Sequence, residues 1–486
     1  MVLIHLYGKK WPAHTYHQPT NKMQIYIIFH RQQHLLRNAE ICNQSTIAMK
    51  FFFIHLFVIQ LSNLMSIFAK DETSCQFKNS DTCSILTDNV YMIGLFNDCF
   101  FPIIDGVSIT VYNYAYWLDK MGKDVCVVTP YVPDAKDDYP YQVHRYMSMP
   151  IPTRKPYRLG VPELDRSFSR MMNNTSFNLV HAHSPFSSGE VALKVSRQQK
   201  IPIIATFHSK FRDDFKRIFR NDIIVQQLTN KIIDFYKQVD QVWIPQAEVE
   251  QTIREYGYHG PLEIVDNGND FSGTPYNEQL KREARESLGI TDSRPILLFV
   301  GQHIWEKNIS LILKSLERLG NHTFKMFFVG TGYAEEDIKH LAQELGLSSR
   351  IPDEMKDKVL FVGTVSERET MRKFYLASDL FLFPSLYDNA PLVVREAAAM
   401  HVPSLMVRNS TASRILSDGI NGFLASNDID DYSKALSKLL DQPSVISKVG
   451  DEASISLSRP WKDIVNEVHE RYTDLIAHNQ QQFNVG

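Results

Sequence analysis

The segment from Phe383 to Met400 carries two carboxylates beside a predicted helix start. It reads Phe-Pro-Ser-Leu-Tyr-Asp-Asn-Ala-Pro-Leu-Val-Val-Arg-Glu-Ala-Ala-Ala-Met and places Asp388 eight positions before Glu396. An apolar run that ends in Pro-Ser predicts a strand, and the Ala-rich stretch predicts a helix. The N–H groups at a helix start suit a phosphate, and the carboxylates suit hydroxyls. The pattern therefore indicates a nucleotide sugar, or else a plain strand-to-helix connection with a capping Asp388 and a solvated Glu396.

The chain from Met92 onward alternates between strand patterns and helix patterns, which predicts an α/β protein with parallel sheets. Two successive sets of these patterns predict two Rossmann-like domains, with one large mixed sheet as the less favoured architecture. We expect the junction near Phe271–Arg285, where polar residues, Gly and Pro cluster. The predicted parts are an N-terminal extension (residues 1–90), a first domain (91–278), a second domain (279–458) and a C-terminal helix (459–486). That last helix starts at Pro460-Trp461, extends to about Ala477, and could cross back to the first domain.

Composition sets the broad class of the protein. The chain has 486 residues, a hydrophobic fraction of 44% and a net charge of −3, which favours a soluble globular protein and gives no argument for nucleic-acid binding. Five cysteines without a Cys-x-x-Cys pair argue against a metal knuckle or a disulfide scaffold. Phe51–Phe68 lacks charged residues and follows Met49-Lys50, so it could be a signal sequence or a membrane anchor. Alternatively the functional chain starts at Met92, or the extension is a folded part of the protein.

Several separated motifs resemble those of retaining glycosyltransferases of family 4. The motifs are Gly94-Leu-Phe-Asn-Asp-Cys-Phe-Phe-Pro102 with Asp105-Gly-Val107, His181-Ala-His183-Ser-Pro185, Ala205-Thr-Phe-His208, Asn267-Gly-Asn-Asp270, Val300-Gly-Gln-His-Ile-Trp-Glu-Lys-Asn308, Gly363-Thr-Val365, Asn421-Gly-Phe423 and Trp461. The resemblance spans about Tyr91 to Tyr472. It implies the GT-B fold, in which two Rossmann-like domains face each other across a cleft for donor and acceptor.

The resemblance also implies roles for individual residues. Lys307 would meet the donor diphosphate and stabilise the charge that builds on the leaving nucleotide, unless it is a solvated loop lysine. Glu396 would hold the ribose hydroxyls, Asp388 would touch the donor sugar, and His208 would lie beside the transferred sugar or be a satisfied strand-end histidine. The expected donor-binding residues are Gly106, Gly301, Gln302, Gly363, Thr364, Val365, Asn389, Ala390 and Leu392. Gly106 could instead serve only a turn.

Three positions depart from the family pattern. Gln302 stands where the family usually has an arginine, which removes a positive charge from the diphosphate site. Ala390-Pro391 replaces an aromatic-Gly pair, and Asp388 is one methylene shorter than the usual Glu. These changes could alter donor choice or weaken donor binding. A nucleotide-sugar-binding protein that has lost turnover is therefore an alternative, and a nucleotide-sugar epimerase on the same scaffold is a third.

The acceptor side is less specific. Lys210–Arg220 predicts a helix with an aromatic and aliphatic stripe (Phe211, Phe215, Ile218 and Phe219) surrounded by basic residues. The stripe could rest on an anionic membrane or pack inward with the charges solvated. Lys210 and Arg212 are expected on the acceptor side together with His183, whose role is structural or catalytic.

The combined prediction is transfer of a hexose, with retention, from a UDP- or GDP-linked donor to a membrane glycolipid or lipid-linked glycan. A soluble saccharide is the alternative acceptor. No metal-binding acid pair precedes the donor site, so we expect no metal requirement and no cofactor. The expected location is the cytoplasm, with peripheral association at the inner face of the membrane.

Overall fold

The computed structural model of the chain describes residues 92–151, 156–349 and 357–484. These residues belong to one compact unit, residues 84–486. The expected extension over residues 1–90, with its apolar stretch Phe51–Phe68, lies outside the described residues. None of the helices in the described part is both long enough and apolar enough to cross a membrane.

The first domain is built on a parallel sheet. Its strands are β1 (Ile93–Phe96), β2 (Val125–Pro130), β3 (Gln142–Tyr146), β4 (Ser148–Pro150), β5 (Arg158–Gly160), β6 (Leu179–Ala182), β7 (Ile203–Thr206), β8 (Gln241–Ile244) and β9 (Glu263–Ile264). Seven of them form the sheet in the order β3-β2-β1-β6-β7-β8-β9, and β4 pairs with β5 as a separate antiparallel ribbon. The central strands β1, β6 and β7 are buried along their whole length because helices cover both faces of the sheet.

The helices of this domain connect successive strands. They are α1 (Gly106–Lys120), α2 (Arg166–Asn174), α3 (Ser187–Gln199), α4 (Phe211–Ile218), α5 (Asp222–Tyr236) and α6 (Val249–Glu255), with a 3-10 turn at Pro162–Leu164. Two buried clusters, one against each face of the sheet, make up the core. Strand, helix and strand thus alternate as the sequence pattern predicts.

The second domain repeats the same design. Its helices are α7 (Glu278–Ser287), α8 (Ile309–Glu317), α9 (Glu335–Glu344), α10 (Arg368–Ala377), α11 (Leu392–Ala399), α12 (Ile429–Leu440) and α13 (Pro443–Leu457). Its strands are β10 (Ile296–Val300), β11 (Lys325–Val329), β12 (Val359–Gly363), β13 (Leu380–Phe383), β14 (Ser404–Val407) and β15 (Phe423–Ala425). They form one parallel sheet in the order β12-β11-β10-β13-β14-β15. The predicted pair of Rossmann-like domains is therefore confirmed.

Two segments cross between the domains. The chain leaves the first sheet at Ile264 and enters the second core at Phe271, where the expected junction region begins, and Asn277 within that region caps α7. The last helix, α14 (Trp461–Asn484), returns and buries Trp461 in the core of the first domain. A Cβ on Gly268 would lie 2.7 Å from the Cα of Trp461, so the two crossing segments are in close contact.

Candidate active site

Loops from the two domains meet at the carboxyl ends of their parallel strands, the edge at which open α/β sheets bind ligands. Several hydrogen bonds join them. The Asn389 amide donates to the His208 carbonyl at 3.0 Å, and the Lys210 ammonium donates to the Leu386 carbonyl at 3.1 Å. The Gln302 amide donates to the Tyr157 hydroxyl at 3.3 Å. The predicted donor-side and acceptor-side residues therefore line a common cleft region.

Lys307 and Asp388 form an ion pair on the second domain. The Lys307 ammonium lies 2.6 Å and 2.8 Å from the two carboxylate oxygens of Asp388. Only 11% of the lysine side chain and 18% of the aspartate side chain are exposed. Phe383 and Tyr387 present their rings to the ammonium at 5.6 Å and 5.7 Å. Lys307 is thus neither a solvated loop lysine nor far from the first acid, and Asp388 does not cap the following helix.

Glu396 is buried on α11 with both carboxylate oxygens bonded. Oε1 accepts from Arg368 Nη2 at 2.7 Å, and Oε2 accepts from the Tyr375 hydroxyl at 2.8 Å. Arg368 Nε also lies 2.9 Å from Asp270 Oδ2, in the turn between the domains. Burial and the adjacent Glu396 raise the pKa of Tyr375 well above its usual value, so the phenol remains a donor. The alternative of a solvated Glu396 is wrong, because the carboxylate is buried and both of its oxygens accept hydrogen bonds from protein groups.

Arg368 and Tyr375 are site residues that the sequence reasoning missed. They lie 28 and 21 positions before Glu396 and belong to no motif of the resemblance. One feature of the sequence could have pointed to them: a single helix, α10, carries both residues and begins three residues after Val365 of the Gly363-Thr-Val365 motif.

The segment between the two acids contacts the first domain and the turn that leads from it. Pro391 is the N-cap of α11 and supplies no side-chain cap, and Leu392 packs into the first-domain core. The Ala390 carbonyl accepts weakly from Asn267 at 3.5 Å. Asn389 is buried, and its Oδ1 has no hydrogen-bond partner.

The loop at Gly301 and the loop at Gly363-Thr364-Val365, both expected on the donor side, pack against the loop at Gly330-Thr331. A Cβ on Gly330 would lie 2.0 Å from the Gly301 carbonyl oxygen, so the backbones approach as closely as glycine allows. Gly363 has a φ of +82° and accepts a hydrogen bond from Gly330 N. Thr364 contacts Thr331 through their hydroxyls at 3.0 Å, and Val365 packs against the second core. These residues shape the loop, and their contact with a nucleotide base stays a prediction.

The start of α1 leaves open space. Asp105 caps the helix by accepting from Ser108 N at 2.8 Å, and Gly106 is the first helical residue. A Cβ on Gly106 would meet nothing within 4 Å. Tyr157, which receives the Gln302 amide, also donates to Asp105 at 3.4 Å. Gly106 therefore leaves space in which a ligand could approach the main chain.

Three histidines stack in the first domain behind this opening. His183 Nδ1 lies 3.1 Å from His208 Nε2, and the rings of His181 and His183 are 4.1 Å apart. His181 is held by the Tyr472 hydroxyl of α14 at 2.6 Å and by Thr206 at 2.8 Å. Burial lowers the pKa of His208 to about 3 and lowers that of His183 as well. The imidazoles are therefore neutral near pH 7, and His183 contacts His208 directly.

The contacts of helix α4 show which way part of its aromatic and aliphatic stripe faces. Phe211 is buried and Phe215 packs against the first-domain core, so this part of the stripe faces inward. The Arg212 guanidinium lies 4.5 Å from the Tyr256 ring centre, and its Nη2 donates to the Glu255 carbonyl at 2.8 Å. Arg212 thus binds within its own domain. Burial lowers the pKa of Lys210, which spans to the second domain instead.

Metal ligation has no candidate in the part of the chain that the structure describes. No group of three or more His, Cys, Asp or Glu side chains there is arranged to hold an ion. Independence of metal stays a prediction.

Family models match both domains. Residues 104–272 match the model described as Glycosyltransferase Family 4, and residues 281–454 match Glycosyl transferases group 1. The two matches together cover more than half of the chain.

Curated relatives and solved structures agree with this assignment. The chain is 26% identical over 399 residues to Alpha-monoglucosyldiacylglycerol synthase of Streptococcus pneumoniae, covering 80% of this chain and 87% of the relative. It is 23% identical over 406 residues to the enzyme of that name from Acholeplasma laidlawii, covering 81% and 99%. The fold is similar to that of sucrose-phosphate synthase from Thermosynechococcus elongatus, with a TM-score of 0.65, 18% identity and coverage of 80% and 100%. Anabaena HepE in complex with UDP and glucose gives a TM-score of 0.63 at 14% identity, covering 79% and 99%. With these matches and the placement of the motif residues, the chain belongs to glycosyltransferase family 4 and is a hexosyltransferase of the GT-B fold.

Proposed function

We propose that this enzyme moves a hexose from a UDP- or GDP-linked donor to a membrane lipid acceptor, a diacylglycerol or a glycolipid, with retention of configuration. The observation that carries the proposal is the segment from Asp388 to Glu396. Its first acid holds Lys307, its last acid is buried beside Arg368, and Asn389 between them bonds to the His208 loop. One short segment thus connects the groups suited to phosphate, ribose and sugar.

The donor chemistry follows from these groups. The Lys307 ammonium would turn from Asp388 toward the diphosphate and neutralise charge on the leaving nucleotide. Glu396 has lone pairs beyond the two bonds it makes, so it can also accept from ribose hydroxyls. The bond between the sugar C1 and the phosphate oxygen breaks as the acceptor oxygen bonds to C1 on the same face. The acceptor proton would pass to the departing phosphate oxygen.

The acceptor assignment rests on two supports. The two relatives named above are monoglucosyldiacylglycerol synthases, so a diacylglycerol lipid is the first acceptor to test. Lys216 and Arg220 remain exposed on and beside α4, where they can face anionic headgroups. A cytoplasmic enzyme that associates peripherally with the inner face of the membrane would fit both supports.

The test is nucleotide release by the full chain with UDP-, GDP- and ADP-sugars. Each donor is assayed alone, with anionic vesicles containing diacylglycerol, and with zwitterionic vesicles containing diacylglycerol. Release from one donor that rises with anionic vesicles and disappears in Glu396→Ala would support the proposal, and the anomeric signal of the product in a proton NMR spectrum would report retention. A further relative, a D-inositol 3-phosphate glycosyltransferase of Catenulispora acidiphila, is 26% identical over 341 residues, so that soluble acceptor is assayed in parallel. Stimulation by the soluble acceptor alone would overturn the lipid assignment.

A further inference from the structure

Helix α4 of the first domain holds a tyrosine of the second domain. The Arg217 guanidinium lies 4.1 Å from the centre of the Tyr387 ring, and the Tyr387 hydroxyl donates to Asp214 Oδ1 at 2.9 Å. Arg217 and Asp214 are themselves 3.4 Å apart. Burial and the adjacent Asp214 raise the pKa of Tyr387, so the phenol keeps its proton and remains a donor. One tyrosine ring is therefore bound through both its face and its hydroxyl by the opposite domain.

The same arginine contacts a second loop of the donor domain. Arg217 Nε lies 3.4 Å from Glu306 Oε1, and Glu306 Oε2 accepts from the Tyr333 hydroxyl at 2.7 Å. The Arg217, Asp214 and Glu306 side chains are only 29%, 15% and 21% exposed. Water screens such partly buried charges less than it screens charges on an open surface. We name Asp214, Arg217, Glu306 and Tyr387 the interdomain clasp.

The clasp is adjacent in sequence to the proposed catalytic pair. Tyr387 immediately precedes Asp388, and Glu306 immediately precedes Lys307. A displacement of Tyr387 would therefore move the backbone of Asp388, and a displacement of Glu306 would move that of Lys307. Proximity of this kind matters because a misplacement of about 1 Å can cost on the order of 100-fold in rate.

We infer that Arg217 and Tyr387 are positioning residues, which hold Lys307 and Asp388 in their reactive arrangement when the domains are closed. This inference rests on the proposed function. The nucleotide would bind to the second domain without the clasp, whereas the sugar would be transferred only with it. Helix α4 follows the His208 loop of the first domain, the domain expected to bind the acceptor. The first domain would thus complete the donor site through α4.

The experiment separates turnover from nucleotide affinity in the full chain. We expect Arg217→Gln and Tyr387→Leu each to lower kcat for donor turnover by about 5- to 30-fold, the range of a cation–π contact in a desolvated site. The Kd for free UDP or GDP, measured by calorimetry, should stay within about 2-fold, since these contacts lie across the domains. Tyr387→Phe keeps the ring beneath Arg217 and loses only the hydroxyl, so it should lie between Tyr387→Leu and the wild type.

A double variant tests whether the two residues act as a unit. Arg217→Gln combined with Tyr387→Leu should slow turnover by less than the product of the two single effects, because the first change already removes the contact that the two residues share. Arg197→Gln on α3 is the matched control, since its exposed guanidinium bonds only within the first domain, to Gln238, and its kcat should equal that of the wild type. Thermal unfolding identifies any variant that fails to fold, and Tyr387→Phe, which deletes one oxygen, then carries the test.

Three outcomes would overturn the inference. Multiplicative effects in the double variant would mean that the residues act separately, and an unchanged kcat would mean that the clasp is only structural. A Kd that rises as much as kcat falls would place Arg217 in the binding of nucleotide. Each of these leaves the proposed function intact because the wild type still turns over, whereas a wild type silent with every donor would overturn both.

Discussion

Arg368 joins the acid expected to hold the ribose to the turn between the domains, and its replacement should weaken nucleotide binding specifically. In the wild type, the Arg368 guanidinium bonds to Glu396 on one side and lies 2.9 Å from Asp270 on the other. It also lies 4.5 Å from the centre of the Phe271 ring. Arg368→Gln removes the charge and the fork of donors. The buried Glu396 then keeps only the Tyr375 hydroxyl as a partner, so its carboxylate is no longer held in place for the ribose hydroxyls.

The size of the effect follows from the burial of the two partners. The Glu396 side chain is 5% exposed and the Arg368 side chain 40%. Exposed ion pairs contribute about 0–1 kcal/mol, whereas removing one partner of a buried pair costs about 3–5 kcal/mol. With one partner buried and the other half-exposed, we expect a loss of about 1–2 kcal/mol in nucleotide affinity, equivalent to a Kd about 5- to 30-fold higher. Arg368→Lys should be intermediate, because an ammonium cannot reproduce the planar fork.

Calorimetric titration with UDP and with GDP measures this Kd without reference to an acceptor. The matched control is Arg372→Gln, one turn later on α10, where the arginine pairs at 2.9 Å with the half-exposed Glu369. An Arg368→Gln protein that binds nucleotide within 2-fold of the wild type would refute the role given to Glu396. An equal loss of nucleotide affinity in Arg372→Gln would show that the positive charge of α10 matters and that the contact between Arg368 and Glu396 does not.

Three further predictions concern the opening, the leaving group and acid stability. Gly106→Ala should keep the unfolding midpoint and raise the KM for donor or acceptor, because the new Cβ occupies open space; unchanged kinetics would assign Gly106 to the turn alone. Lys307→Ala should lower kcat by about 100- to 1,000-fold in steady-state assays without rescue by Lys307→Arg, and near-normal turnover in Lys307→Ala would contradict its role. Burial lowers the pKa of His208 to about 3 and of His303 to about 4, so the unfolded chain, with the usual value of 6.5, binds more protons below that pH. The free energy of unfolding should therefore fall as the pH drops from 6.5 toward 3, by about 1 kcal/mol per histidine between pH 6.5 and 5.5. Urea unfolding measures this loss, and a fall in the urea midpoint that is equally large in His208→Gln would argue against it.

The strands were largely predictable from the sequence because both faces of each parallel sheet are buried. Strand β10 (Ile296–Val300) reads Ile-Leu-Leu-Phe-Val and strand β13 (Leu380–Phe383) reads Leu-Phe-Leu-Phe, and both are buried throughout. A run of apolar residues between polar breaks leaves little choice of structure. Apolar periodicity signals α14 only to about Ala477, and beyond it the helix continues to Asn484 through a polar stretch that includes three glutamines, which are good helix formers.

The contacts of the site were less predictable than its members. Lys307 and Asp388 were both named from motifs, but 81 residues separate them, and no local period signals an ion pair. The stripe on α4 has the same periodicity whether it faces lipid or protein. Only the tertiary partners of Phe211 and Phe215 decide that they pack inward.

Two of the three departures from the family pattern, Gln302 and Ala390-Pro391, coincide with contacts that involve both domains. Gln302, which replaces a cation, donates to Tyr157 of the first domain, and the carbonyl of Ala390 accepts from Asn267 in the crossing turn. An arginine at position 302 would offer charge to a diphosphate, whereas the amide offers a neutral contact across the cleft. We therefore interpret the departures as changes in how the domains meet, with Lys307 left as the cation for the leaving group. On this interpretation the charge lost at position 302 makes turnover more dependent on domain closure, the same dependence that the interdomain clasp would impose.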